Sequence, residues 1–185
     1  MNEPNIDGHY SFQDWYSLPD VVRTELYDGK VRMMSIPTPM HQMVSLKLTL
    51  QIGAFLGGNT YQFFHAPIGV KLFPDRDIVV SPDALVISDI EKIGEKVILG
   101  APDIVIEIMS PSDMNYETTE KLGLYLKSGV REYWIVCLEA KMVIVYILRN
   151  SEYSVRVHAL SSGDTEIRTG ILPELRINLL DVFGV

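Results

Sequence analysis

The feature that most restricts the fold is an apolar run, residues 104–109, that contains one carboxylate, Glu107. Apolar residues occupy both alternating sets of positions in this run, which is the pattern of a strand buried on both faces of a sheet. An ionised carboxylate without a partner is very costly in such surroundings. We therefore expect Glu107 to be protonated, paired with a base or bound to a cation, as a metal ligand or an acid/base group. A carboxylate at a wetted or salt-bridged end of the sheet is the alternative.

The order of helical and strand-like segments predicts an α/β (α+β) fold with a central mixed sheet. Helices are expected over residues 11–17, 40–56 and 117–127. Ser11 and Thr38 can cap the first two, and Gly129 stops the third.

Strand-like runs account for most of the remaining chain. The Asp28-Gly29 turn predicts a hairpin of residues 23–27 and 30–36. Three further groupings are expected: residues 61–64 paired with 69–73, residues 82–87 paired with 104–109 across a charged loop (88–100), and a meander of 131–138, 142–148 and 154–160. The tail, residues 172–183, fits neither a helix nor a strand clearly.

The length of 185 residues fits one domain, so we expect a loose segment over residues 1–10 and a single domain over residues 11–185. No apolar run approaches the ~20 residues of a membrane helix, and no signal peptide is visible, so no membrane partner and a cytoplasmic location are expected. The single cysteine, Cys137, excludes an internal disulfide and a cysteine-based zinc site. A net charge of −8 argues against binding nucleic acid by bulk charge alone.

Asp83 is the acidic residue best placed to join Glu107. It follows Pro82 and opens the strand that is expected to lie beside residues 104–109, so the two carboxylates can converge. Carboxylates without histidine or cysteine partners suit a hard cation such as Mg²⁺. Asp83 alone is also a common residue at the end of a turn. Asp103 lies four residues before Glu107, roughly 13 Å along a strand, and is better interpreted as a strand-start residue.

Three other residues could complete a site at Glu107. Lys121 follows the Glu107 strand on a helix, where it could orient a water molecule or form an ordinary surface pair with Glu117. Glu25, in the predicted hairpin, is either a further acidic member or a cross-strand charge. His41 near a helix start is typically a surface or capping residue. The sequence contains no nucleophile-elbow, phosphate-loop, His-Glu-x-x-His or dinucleotide-binding motif.

Several segments together resemble the Uma-type putative restriction endonuclease family, whose members have a PD-(D/E)XK nuclease-like fold. The resemblance runs from about residue 14 to residue 183. It is carried by residues 25–29, His41-Gln42, 81–83 (Ser-Pro-Asp), 105–112 (Val-Ile-Glu-Ile-Met-Ser-Pro-Ser), Lys121 with Tyr125, and 129–136 (Gly-Val-Arg-Glu-Tyr-Trp-Ile-Val).

The resemblance implies a restriction-endonuclease-like mixed sheet flanked by helices, with a metal site at one end. Asp83 and Glu107, with a main-chain carbonyl such as that of Ile108, would bind Mg²⁺ or Mn²⁺. The usual lysine of this superfamily lies two residues after the glutamate, where Met109 stands, and Lys121 takes its place. Glu25 would join the site from the hairpin.

This site implies a metal-dependent endonuclease that hydrolyses phosphodiester bonds of DNA. The apolar Tyr-Trp strand and two edge-capable hairpins, together with the resemblance, suggest a homodimer. The chain departs from the family at Glu117, where aspartate is common, and at Cys137-Leu138, where Asp-Pro is common.

The alternative from another class is a catalytically silent binding or assembly module that kept the fold. The net charge of −8 and the scattered basic residues support it, since phosphate contacts supply much of the affinity for DNA. DNA binding would require a folded surface that gathers residues such as Lys47, Lys71, Lys127 or Arg131. A hydrolase of a non-nucleic phosphodiester fits the same acidic residues.

Overall fold

The computed structural model describes residues 8–19, 23–58, 60–109 and 116–184. For residues 116–118 it describes the backbone but not the side chains. The helices are α1 (Phe12–Tyr16), α2 (Pro39–Leu56), α3 (Leu122–Ser128) and α4 (Leu179–Phe183). The strands are β1 (Thr24–Tyr27), β2 (Lys30–Met33), β3 (Gln62–His65), β4 (Gly69–Lys71), β5 (Ile78–Val80), β6 (Ala84–Ile87), β7 (Val97–Leu99), β8 (Ile104–Met109), β9 (Glu132–Cys137), β10 (Met142–Arg149), β11 (Glu152–Ala159), β12 (Glu166–Arg168) and β13 (Arg176–Asn178).

A six-stranded mixed sheet forms the centre of the fold, in the order β11-β10-β9-β8-β6-β3. Strands β8 and β9 are parallel, and the other neighbours are antiparallel. The parallel pair requires a crossover, and α3 lies in that connection. All residues of β8 are buried, as the apolar run around Glu107 predicts, and all residues of β9 are buried as well. The mixed sheet and its helices confirm the predicted fold class.

The two faces of the central sheet pack against different layers. Ile106 of β8 points to the face covered by α2 and α4, where it shares a cluster with Leu48 and Leu179. Val105 points to the opposite face, which Tyr125 of α3 covers. Because side chains alternate along a strand, Glu107 projects toward the same face as Val105, beneath α3.

A second sheet of five strands, in the order β2-β1-β5-β4-β7, was not predicted. Strands β4, β5 and β7 have three residues each, which is too short to show a period of two in the sequence. The loop expected over residues 88–100 contains β7, which pairs in parallel with β4. The tail that fitted no pattern forms β13 and α4.

The predicted pairing of residues 61–64 with 69–73 is wrong. Strand β3 pairs with β6 in the central sheet, whereas β4 pairs with β5 and β7 in the other sheet. The chain passes from one sheet to the other between these two strands. The apolar pattern of a strand indicates that it is buried, but not which neighbour it pairs with.

The predicted turns and caps are confirmed, and they position the site. Asp28 and Gly29 both have positive φ angles, 45° and 89°, as a tight hairpin turn between β1 and β2 requires. The side chain of Thr38 accepts the main-chain N–H of His41 and starts α2. Ser11 and Asp14 form a capping box on α1.

Residues 1–7 of the predicted N-terminal segment lie outside the described residues. None of the helices in the described part of the chain is long and apolar enough to cross a membrane.

Candidate active site

Asp83 and Glu107 come together through the pairing of β6 with β8. Ala84 lies opposite Ile106 in this antiparallel pair, so one step further along the register Asp83 is opposite Glu107. The main-chain N–H of Ile108 donates to Asp83 Oδ2 at 2.8 Å. Residues directly opposite each other project from the same face of a sheet. Both carboxylates line a cavity of about 430 Å³.

Lys121 joins two carboxylates beneath α3. Its ammonium Nζ lies 2.8 Å from Glu107 Oε1 and 3.0 Å from Glu25 Oε1. The lysine is 2% exposed and is the last residue of a π-helical turn (Tyr116–Lys121) that leads into α3. The hydroxyl of Tyr125, four residues later on the same helical face, donates to Glu107 Oε1 at 2.7 Å. The buried carboxylate on β8 is therefore paired with a base.

Glu25 reaches this cluster from the other sheet. It lies on β1, where the Tyr27 hydroxyl donates to its Oε2 at 3.0 Å. The main-chain N–H of Ser81, two residues before Asp83, donates to its Oε1 at 2.9 Å. The cluster thus lies where the five-stranded and six-stranded sheets meet.

His41 also belongs to this cavity, although its sequence position suggested a surface or capping residue. Its Nε2 lies 3.1 Å from Asp83 Oδ2. Its Nδ1 is buried and has no hydrogen-bond partner in the part of the chain that the structure describes. The histidine was missed because its direction depends on how α2 docks, although it stands in one of the segments that carry the family resemblance.

Apart from Lys121, the cations at the cavity are not those that the sequence suggested for DNA binding. Among the described residues, Arg23 and Arg32, which flank or lie on the β1–β2 hairpin, line the cavity. The four residues that the sequence suggested for DNA binding do not line the cavity: Lys47, Lys71, Lys127 and Arg131.

Three of those four cations are engaged elsewhere. Lys47 lies 3.7 Å from a carboxylate oxygen of Asp181, and Lys71 donates to the main-chain carbonyls of Phe73 and Pro74. Arg131 pairs with Asp103 at 2.8 Å. Their positions in the sequence gave no indication of these partners.

Asp103 precedes β8 and lies away from the cavity, as expected for a strand-start residue. Its Oδ2 accepts the main-chain N–H and the hydroxyl of Ser88, and its Oδ1 accepts from Arg131. Burial opposes ionisation of this carboxyl, but the Arg131 and Ser88 hydrogen bonds outweigh it and hold the pKa of Asp103 below its usual value. Asp103 therefore has a complete set of structural partners.

The donor set at the cavity fits a hard divalent cation that keeps part of its water. No three His, Cys, Asp or Glu side chains among the described residues form a ready-made metal cluster. Asp83 Oδ1 accepts no hydrogen bond from the described residues, whereas Oδ2 is held by His41 and Ile108. Two carboxylates and a carbonyl would leave several positions to water, which is how Mg²⁺ is usually bound.

The carbonyl of Ile108 is available for structural reasons. The register of β6 and β8, carried two residues beyond Ala84, brings Pro82 opposite Ile108. A proline has no N–H to donate to the ladder. The N–H of Ile108 faces Asp83, and the carbonyl of the same residue in an extended strand faces the same side. The strand geometry therefore directs the Ile108 carbonyl toward the side of β8 on which Asp83 lies.

The departures from the family pattern do not replace Asp83, Glu107, Lys121 or Glu25. Met109 is buried in the core beside Tyr125. Residues 110–112 of the resemblance and the side chain of Glu117 lie outside the described residues. Cys137 is buried at the end of β9, where burial raises the pKa of its thiol. It is therefore a core residue rather than a reactive thiol.

Comparison with known proteins identifies the family and the fold of this chain. The model of the Uma2 family, described as putative restriction endonuclease, matches residues 10–181. No curated protein matches the chain. The fold is similar to the crystal structure of a putative nuclease belonging to DUF820 from Anabaena variabilis, with a TM-score of 0.74 and 20% identity over 95% of this chain and 98% of that chain. At that identity the likeness concerns the fold alone.

Proposed function

Because the chain belongs to the Uma2 family of putative restriction endonucleases, we propose that it is a metal-dependent nuclease that hydrolyses phosphodiester bonds of DNA. The observation that carries the proposal is the meeting of Asp83, Glu107 and Lys121 at one cavity. Two carboxylates from neighbouring strands and a buried ammonium are the groups that such a reaction requires. They lie together although they are far apart in the sequence.

We propose that Asp83, Glu107 and the carbonyl of Ile108 hold Mg²⁺ or Mn²⁺. When bound, such an ion acts as a Lewis acid toward the phosphate and lowers the pKa of a coordinated water. The protein keeps the donors in place: the Ile108 N–H and His41 fix Asp83, and Tyr125 fixes Glu107. Fixed donors reduce the reorganisation needed during the reaction.

In this proposal, Lys121 and the arginines balance the negative charge of the substrate phosphates. The ammonium of Lys121 orients the attacking water or offsets negative charge on the phosphate. Glu25 holds Lys121 from the second sheet at 3.0 Å, so the lysine keeps one anchor when Glu107 contacts an ion. Arg23 and Arg32 line the same cavity and offer guanidinium groups to the substrate phosphates.

The direct experiment measures nicking of supercoiled plasmid with Mg²⁺ or Mn²⁺. Asp83→Asn, Glu107→Gln and Lys121→Met are expected to reduce the rate by about 100-fold or more, the scale on which removal of a transition-state contact acts. Asp103→Asn is the matched control, since it removes a buried carboxylate outside the cavity. If all three variants nick as fast as the wild type, the assignment is wrong.

A catalytically silent binding module is the second candidate, and one observation favours it. Lys121 pairs with both Glu25 and Glu107, so part of the acidic charge is already balanced within the protein. Titration calorimetry with Mn²⁺ separates the two. A nuclease site binds the ion and loses it in Asp83→Asn, whereas a silent module shows no heat of binding and gains stability from the same substitution.

We further propose that residues 11–185 form a single domain and that the protein is a homodimer. Both large apolar clusters pack on the two faces of one central sheet, which supports a single unit. A pair of sites would suit cleavage of both strands of a duplex. Light scattering of the purified protein should give about twice the mass of 20.9 kDa, and the mass of one chain would contradict the dimer.

A further inference from the structure

A second cavity, of about 290 Å³, lies beside the first. Its walls include the aromatic rings of Trp15 and Tyr16 from α1, together with Ile68. Two residues, Arg23 and Met34, line both cavities. The Met34 N–H donates to the Arg23 carbonyl, so these residues form one connected wall at the base of the β1–β2 hairpin.

Strand β1 separates the two cavities. Neighbouring residues of a strand point to opposite faces, and accordingly Thr24 lines the second cavity whereas Glu25 lines the first. Ser81 also lines the second cavity, and its main-chain N–H binds Glu25. A ligand that spans the edge of β1 can therefore reach both cavities.

Arg23 is positioned for an anion at this edge. It is partly buried, and its guanidinium has no hydrogen-bond or ion-pair partner among the described residues. A guanidinium carries five N–H donors, and its planar fork matches the oxygens of a phosphate. It stands between the acidic cluster at Glu107 and the aromatic cavity.

One hydrogen bond and close packing against Gly69 position the indole of Trp15. The indole Nε1 of Trp15 donates to the Thr24 hydroxyl at 3.0 Å. The absence of a side chain at Gly69 makes room for the indole, since a Cβ there would lie 2.9 Å from Trp15 Cη2. Lys96 Nζ lies 5.5 Å from the centre of the Tyr16 ring and adds positive charge on the same wall. A preorganised aromatic cavity with few polar groups suits a flat organic ring.

We propose that the second cavity binds the base of an unpaired nucleotide next to the scissile phosphate, with Arg23 on the phosphate between them. The inference rests on the proposed nuclease function and adds its substrate class, nucleic acid that is single-stranded or frayed at the point of cleavage. Stacking on aromatic rings supplies affinity without regard to base identity. It compensates for the low positive charge of a protein with a net charge of −8.

The test compares two fluorescein-labelled tetranucleotides in EDTA, one of thymidylate and one of abasic residues with the same phosphates. Fluorescence anisotropy should show that the wild type binds the thymidylate about tenfold more tightly, on the scale of one stacked base. Trp15→Leu should remove this preference, with folding checked by circular dichroism. Tyr16→Leu provides the same test if Trp15→Leu does not fold.

Arg23→Gln separates the phosphate contact from the stacking contact. It should weaken both oligonucleotides by about tenfold, as expected for loss of a charged hydrogen bond. Arg168→Gln is the matched control, because it removes the same charge at a residue that lines neither cavity, and it should change nothing. Equal binding of the two wild-type probes, or unchanged binding by Arg23→Gln, would overturn the inference.

The binding assay contains no metal, so it is independent of cleavage. A protein that nicks plasmid but shows no preference for bases disproves only the base site. A protein that prefers bases but never nicks disproves only the nuclease chemistry. Absence of both results overturns both proposals.

Discussion

The central sheet contains two buried glutamates on adjacent strands, and their partners differ in kind. Glu107 lies on β8 beneath α3, where the ammonium of Lys121 and the hydroxyl of Tyr125 contact it beside an open cavity. Glu132, at the start of β9, lies opposite Ile104 in the parallel register and is 0% exposed. The two carboxylates therefore lie toward opposite ends of the same pair of strands.

The hydrogen bonds to Glu132 come from neutral N–H groups, and Arg156 adds an electrostatic attraction without a direct contact among the described residues. Its Oε1 accepts the indole of Trp134 at 2.7 Å, and its Oε2 accepts the main-chain N–H groups of Gly170 and Ile171 at 2.7 and 3.1 Å. Burial raises the pKa of Glu132, and these hydrogen bonds offset part of that increase. This carboxylate ties the segment after β12 to the central sheet.

This difference in partners distinguishes Glu132, a structural carboxylate, from Glu107, a carboxylate that is available for chemistry. Both are equally anomalous in an apolar strand, so burial alone does not distinguish them. The distinguishing features are a charged partner and an adjacent cavity, which Glu107 has. A buried acid closed in by main-chain N–H groups is a structural element, and its removal should affect stability before activity.

Replacement of Lys121 should have the largest effect. Lys121→Met leaves Glu25 and Glu107 buried without their shared cation, which should cost about 3–5 kcal/mol of unfolding free energy. Lys127→Met, on the same helix, is the control and should lie within about 0.5 kcal/mol of the wild type. Urea melts in EDTA measure both. Equal stability of Lys121→Met and the wild type would show that the ion pairs contribute nothing.

The glutamine variants of the two glutamates should differ in activity. Glu107→Gln should abolish nicking, because it removes a proposed metal ligand, and should lower the free energy of unfolding by about 1–3 kcal/mol, because Lys121 loses one buried charged partner and keeps Glu25. Glu132→Gln should keep the specific activity but lower the free energy of unfolding by about 1–3 kcal/mol. The amide nitrogen of glutamine cannot accept a hydrogen bond, so at least one of the three N–H donors loses its partner. Plasmid nicking and thermal melts on the same preparations decide this. Loss of activity in folded Glu132→Gln would remove the distinction.

Two glycines offer a finer comparison of the same two regions. A Cβ at Gly170 would lie 2.9 Å from two carbons of Ile147 and 3.1 Å from Glu132 Oε2, so Gly170→Ala should cost about 1–3 kcal/mol by overpacking. A Cβ at Gly123 in α3 has nothing within 4 Å, so Gly123→Ala should add about 0.5–1 kcal/mol through helix propensity. Thermal denaturation should place the two variants on opposite sides of the wild type. The same sign for both would contradict this account of the packing around Glu132.

The smallest effect concerns pH. The pKa of Asp103 is lowered in the folded protein, so its stabilising contribution is present above the unfolded pKa of ~3.9 and is lost as the pH falls through the folded value. Arg131 is half exposed, so this contribution should be about 1 kcal/mol or less. Asp103→Asn should flatten the acid side of a stability–pH curve measured by urea melts. An unchanged acid slope would show that other carboxylates control it.

Glu132 should have the opposite pH dependence. Its pKa is raised in the folded protein, so its contribution is present below the unfolded pKa and is lost as the pH rises through the folded value. The Glu132→Gln variant should lack this loss above about pH 4.5.

The sequence predicted the central sheet, the hairpin and the helix caps because each depends on local chemistry. The anomaly of one acid in an apolar strand also predicted that Glu107 needs a partner, and Lys121 contacts it. Spacing alone did not decide whether Lys121 and Glu25 belong to the site, and their assignment to it came from the family resemblance. Their roles, like those of Asp83 and Ile108, stay predictions.

The features that the sequence did not reveal depend on tertiary packing. The five-stranded sheet is built partly from three-residue strands, which carry no periodic pattern. His41 and Arg23 face the cavity because of how α2 and the hairpin dock onto the sheet. The paired state of Lys47 and Arg131 likewise depends on residues distant in the chain.

Pro82 has a further consequence for the edge of the central sheet. An alanine there would bring an amide proton opposite the carbonyl of Ile108, and β6 and β8 could then pair over one more residue. The chain would gain a backbone hydrogen bond, and the cavity would lose an oxygen, with every acidic side chain unchanged. Because Pro82 has no amide proton, this edge of the sheet can bind a cation. With an amide proton at the same position, the edge would instead form a backbone hydrogen bond between the strands.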